Sequence, residues 1–130
     1  MTAQTFSGEQ ASIRQARRFV HEQLLAAGQH SAAETAHLLT SELATNVVNH
    51  ACTSFEVVVD ITPSLIRVEI HDGQAVTEAF RDLIANPPRS VEPTQVGGRG
   101  LLLVASRAVR FGLHDKGVEG KAIWFELAAS

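Results

Sequence analysis

The chain has 130 residues, 45% of them apolar and 19% charged, and a formal net charge of −3. That length fits one compact domain, and the composition excludes bulk disorder. The small negative charge argues against a general nucleic-acid binder, which carries a clustered basic surplus.

Cys52 is the only cysteine, which excludes an internal disulfide and a thiolate metal cluster and suits a reducing compartment. The six histidines, at 21, 30, 37, 50, 71 and 114, show no H-E-x-x-H spacing, so no metal site built from protein groups alone is expected. The run Leu101 to Ala105 is far too short to span a bilayer. The opening MTAQTFSGEQ lacks the basic start and apolar core of a signal peptide. A cytoplasmic chain with no membrane contact and no direct nucleic-acid contact is the expectation.

In chain order, Ser7-Gly8-Glu9-Gln10 has capping-box spacing, and Ile13, Ala16, Phe19, Val20 and Leu24 follow at helical intervals. Gly28 is the expected stop. A second capping box, Ser31-Ala32-Ala33-Glu34, opens a helix expected to run to about Ala51. Its buried stripe is Leu39, Leu43 and Val47. Alternation then predicts a strand around Phe55, Val57 and Val59, a turn at Thr62-Pro63-Ser64, and a strand over 65–70. So short a turn makes the two strands antiparallel.

The segment Gln74 to Val96 holds a short helical patch (Val76, Phe80, Leu83, Ile84) and three of the four prolines, and reads as a mobile connector. Gly97-Gly98-Arg99-Gly100 then leads into an apolar helix, Leu101 to about Val109. Two closing strands follow, roughly Arg110 to Asp115 and Ala122 to Leu127. The expected fold is a single α+β domain over 1–130, a two-layer sandwich with helices on one face of a mostly antiparallel sheet.

Three places carry candidate chemistry. On the second helix, Glu42, Asn46 and then Asn49 or His50 share one face, rotated about 100° from the apolar stripe. That face is either a solvated polar stripe or the wall of a pocket offering oxygen ligands of the kind magnesium takes. His71-Asp72-Gly73-Gln74 is either an Asp-Gly turn or a carboxylate aimed into a cleft. Gly98-Arg99-Gly100-Leu101 is either a flexible helix entrance or a phosphate cradle, with unpaired amides at the helix start and a charge-assisted contact from Arg99. The chain has no G-x-x-x-x-G-K-[ST] and no glycine-rich βαβ opening.

Taken in order, these three motifs resemble the GHKL ATPases, the superfamily of gyrase and the histidine kinases, which share the Bergerat ATP-binding fold. SELATNVVNHA, GGRGLLLV and GKAIWFEL resemble its small branch, the anti-sigma-factor serine/threonine kinases and their actinobacterial relatives. The likeness covers nearly the whole chain. It implies that Asn46 ligates magnesium on the triphosphate and that Glu42 is a general base. By the same likeness Asp72, with Gly73 behind it, accepts a hydrogen bond from the adenine amino group, and Gly98 and Gly100 cradle phosphate beside Arg99 and Leu101. Asn49 and His50 complete the nucleotide-facing side of the helix.

The chain departs from the family pattern in three respects. Gln74 stands where the family has glycine or serine, Ala122 stands where it has a threonine near the base, and the connector before Gly97 is short. The implied function is an Mg-ATP-binding regulator that sequesters a sigma factor and phosphorylates a serine or threonine of a STAS-type antagonist. The alternative is an ATP-binding interaction module without catalysis. Family members often dimerise, and Phe6, Ile13 and Phe19 are either a homodimer surface or core. Trp124 is expected to be a packed strand residue.

Overall fold

The computed structural model describes residues 1–86 and 98–130, with the backbone alone at 98 and 99. The elements are β1 (Thr2–Phe6), α1 (Gln10–Ala26), α2 (His30–Asn46), β2 (Phe55–Ile61), β3 (Leu65–Asp72), α3 (Glu78–Ala85), α4 (Gly98–Arg107), β4 (Arg110–Asp115) and β5 (Lys121–Ala128). The strands form one sheet in the order β1-β2-β3-β5-β4, with every pairing antiparallel. Helices lie against one face, so the architecture is the expected two-layer α+β sandwich. Of the segment read as a mobile connector, residues 87–96 lie, together with Gly97, outside the described residues.

Alternation along the strands decides what meets the helices. Phe55, Val57 and Val59 of β2, Ile66, Val68 and Ile70 of β3, and Ile123, Phe125 and Leu127 of β5 are buried on the inner face. They pack against Ala16, Val20 and Leu24 of α1, Leu39 and Leu43 of α2, and Leu101 and Val104 of α4. Phe6 stacks on Phe55 and meets Phe19 edge-on, and Ile13 packs against the same cluster. Of the two readings of these N-terminal apolar residues, the core one holds for Phe6, and Ile13 and Phe19 pack against that core partly buried.

Several boundaries differ from the sequence expectation. Strand β1 has no apolar alternation to announce it. Its residues are exposed up to Phe6, and the hydrogen-bonding edge of β2 holds it in place. Neither capping box caps: the helices begin at Gln10 and His30 without a side-chain cap, and Ser7 Oγ instead meets Ser12 Oγ at 3.1 Å. The end at Gly28 is as expected, with the amides of Gly28 and Gln29 returning to the carbonyls of Leu25 and Leu24. Helix α4 begins at Gly98 rather than Leu101. The second helix does reach Ala51, but its last turn, Val47–Ala51, is a π turn ending in a left-handed Cys52.

The outer face of the sheet carries a charged row. Glu126, nearly buried, is bridged by Arg67 at 3.2 Å and by Arg110 at 2.6 Å. Arg67 lies 4.0 Å from the Trp124 ring centre, so Trp124 is a packed strand residue. Burial opposes ionisation of Glu69, but hydrogen bonds from Arg67 and His71 outweigh it and hold its carboxyl below the ordinary value. No helix among the described residues is long and apolar enough to cross a membrane.

Thr40 is fully buried on α2, and its hydroxyl has no partner among the described residues. A buried hydroxyl without a partner loses its hydration with no return. Thr40→Val is therefore expected to raise stability by about 1 kcal/mol. A higher urea midpoint at unchanged slope checks this.

Candidate functional site

A cavity of about 210 Å³ opens between α2, its π turn, α3 and the inner face of β3 and β5. Its walls are apolar: Leu43, Val47, Ile70, Phe80, Leu83, Leu101 and Ile123. Its polar groups are Asn46, His50, Asp72, Gln74 and Lys121. Helix α3 is placed over it by two local devices. The Thr77 hydroxyl accepts from the Phe80 amide at 3.1 Å, capping the helix, and Arg81 pairs with Asp115 of β4. The amphipathic face thus formed turns Phe80 and Leu83 inward.

The face proposed on α2 is partly brought to the cavity. Asn46 and His50, four residues apart, line it. Asn49 is exposed and its amide oxygen accepts from Gln10 Nε2 at 3.1 Å. The π turn explains the division, because widening the last turn changes which residues follow Asn46 on its face. Glu42 lies one turn before Asn46, outside the cavity lining but beside α4. A Cβ built on Gly100 would stand 3.1 Å from Asn46 Nδ2 and 3.4 Å from Glu42 Cβ. Glycine lets the start of α4 approach this closely, and Leu101 turns into the cavity behind it. Gly98 is the first residue of α4; the side chain of Arg99 lies outside the described residues.

Asp72 ends β3 with its side chain buried on the inner face. Gly73 is outside the lining, and its amide donates to Thr53 Oγ1 at 3.1 Å. Directly opposite Asp72 in the ladder stands Lys121. Lys121 Nζ lies 3.0 Å from both Asp72 oxygens and 3.0 Å from Gln74 Oε1. The Gln74 amide donates to Asp72 Oδ1 at 2.8 Å.

Ala122 pairs with His71, whose side chain points to the outer face, so its lack of a hydroxyl leaves the cavity unchanged. That expectation is corrected, because the inward neighbour of Asp72 is Lys121. Sequence reading missed this lysine because it follows the Gly120 turn. The signal was present: extending the alternation of Leu127, Phe125 and Ile123 back by two residues puts position 121 on the inner face.

The sequence profile of the histidine kinase-like ATPase domain covers residues 6–126. The chain belongs to that family. No curated protein matches it. Membership implies ATP binding, and the residues of this ATPase domain fit a nucleotide. The cavity is smaller than the roughly 300–1,000 Å³ of whole-ligand pockets, so it suits a base. Asn46 stands at its junction with Gly100 and the start of α4, where backbone amides favour phosphate.

Gly120 has a φ of +119°, and a Cβ there would lie 1.9 Å from the Asp72 carbonyl oxygen. It locks the start of β5, and with it Lys121, against the end of β3. Gly120→Ala is expected to cost about 2–3 kcal/mol, read as a fall in the denaturant midpoint.

Proposed function

We propose that this ATPase domain binds Mg-ATP and acts as a cytoplasmic anti-sigma-factor-like regulator. In this role it transfers phosphate to a serine or threonine of a STAS-type antagonist and sequesters a sigma factor. The observation that carries the reading is the meeting of α2 and α4, where Gly100 sits against Asn46 and Glu42. The Asn46 side-chain amide, the Glu42 side chain and a helix N-terminus then meet beside a base-sized cavity. The resemblance of SELATNVVNHA and GGRGLLLV to the anti-sigma kinases supplies the partner class.

In this reading the apolar walls and Asp72 hold the base, and the α4 amides of Gly98, Arg99 and Gly100 hold phosphate. Asn46 would hold magnesium, which when bound neutralises phosphate charge. Glu42 lies within one turn of Asn46 and would take the proton of the attacking hydroxyl. Phosphoryl transfer asks a protein mainly for positioning and charge stabilisation, so this short roster suffices.

The test is phosphate transfer from ATP to the STAS-domain proteins of the same genome, read by mass spectrometry and by calorimetric nucleotide titration. Asn46→Ala is expected to lose nucleotide affinity. Glu42→Gln is expected to keep the affinity and to slow transfer by roughly 10²–10⁴-fold. Transfer by Glu42→Gln at the wild-type rate would remove the general-base role. Tight ATP binding with no transfer to any such partner would leave the ATP-binding interaction module as the function.

A further inference from the structure

The buried pair at the floor of the cavity is a poor device for stability alone. Lys121 is 4% exposed and Asp72 5%, and removing both charges from water costs several kcal/mol per ion. Apolar residues of similar volume would serve a core at least as well. The pair nevertheless sits on an otherwise apolar wall, in the space a base would occupy, and rigidly so. Its two residues are directly opposed in the ladder, Gly120 fixes the strand start, and the Phe80 ring lies 5.1 Å from the ammonium.

The hydrogen-bonding capacity of the pair is not exhausted. A carboxylate offers about four acceptor sites. Among the described residues, Asp72 Oδ1 receives the Gln74 backbone amide and Lys121, whereas Oδ2 receives Lys121 alone. An acceptor site on Oδ2 is therefore open toward the cavity. The ammonium has three donors and no acceptor, two of them committed to the fixed carboxylate. The third goes to Gln74 Oε1, the end of a long and exposed side chain that can swing away. The wall then presents one acceptor and one adjacent donor to a planar ring.

We propose that Lys121 is a specificity-determining residue of the nucleotide site: it donates to N1 of adenine while Asp72 accepts from the neighbouring amino group, and Gln74 caps the ammonium until the base displaces it. The inference rests on the nucleotide-binding reading above. It also gives Gln74 a role, since a glycine or serine there could not reach the ammonium. Guanine offers an acceptor at O6 and a donor at N1, so it competes for the same pair with a shifted ring, and base preference is part of the test.

The experiment is calorimetric titration of the full chain with the magnesium complexes of ATP, 1-deaza-ATP and GTP. The deaza analogue replaces N1 by a C–H group and keeps the amino group. On the unaltered chain it is expected to bind roughly ten- to a hundred-fold more weakly than ATP, as befits a lost hydrogen bond to a charged group, and GTP is expected to bind more weakly than ATP. In Lys121→Met, ATP affinity should drop to that of the analogue, and the analogue should lose little further. Equal affinity of the wild-type chain for ATP and 1-deaza-ATP overturns the role of Lys121 while leaving the ATP site standing. GTP binding as tight as ATP overturns the adenine assignment. Failure of wild type to bind ATP at all overturns the site and the role of Lys121 together. The wild-type comparison decides the matter even if Lys121→Met, which strands the Asp72 charge, does not fold.

Discussion

Each side chain of a strand faces one side of its sheet or the other, and in this chain the ladder between β3 and β5 fixes that choice for the central strands. Asp72 opposite Lys121, Ile70 opposite Ile123 and Val68 opposite Phe125 put one buried ion pair at the end of an otherwise apolar stretch of these two strands' inner face. A slip of β3 by one residue would turn Asp72 to the outer face, away from Lys121, and bring Arg67 and Glu69 into the core. The core, the cavity floor and the placement of the charged outer row all follow from that register. The turn geometry at Gly120 holds it at one end.

Against this sheet the helices do two different jobs. Helix α1 and the first half of α2 close the core with small and aliphatic residues, Ala16, Val20, Ala33 and Leu39 among them. The second half of α2 and the start of α4 make the site, because Gly100 lets the two backbones come within side-chain reach of Asn46 and Glu42. The π turn that ends α2 has a matching effect: it keeps Val47 and His50 on the cavity and leaves Asn49 in solvent. Departures from regular helix geometry often coincide with binding sites, and here the departure sits at the cavity wall.

The site unites groups with opposite demands. Apolar walls suit a heterocyclic base, while the Asp72–Lys121 pair survives burial only because each charge has its partner and a further hydrogen bond from or to Gln74. Such a network is costly when incomplete, which ties the shape of the floor to these three side chains together. The departure at Gln74 is part of this network. The departure at Ala122 falls on the other face and has no bearing on the cavity.

Much of this was legible in the sequence. Period-two and helical patterns located the strands from Phe55 onward, both long helices and the buried stripe of Leu39, Leu43 and Val47, because these signals are local and repeat many times over. The motif order Glu42-x-x-x-Asn46, Asp72-Gly73 and Gly98-Arg99-Gly100 pointed to the family for the same reason: each motif is a short run whose spacing is set by one element. What the sequence left open was decided by contacts between distant residues. Strand β1 exists through the unpaired edge of β2, Asn49 leaves the site through a π turn, and Lys121 enters it because position 72 is its ladder partner. Local patterns report which face a residue takes within its own element. Which two faces meet, and which charge lies opposite which, is settled only when the sheet is assembled.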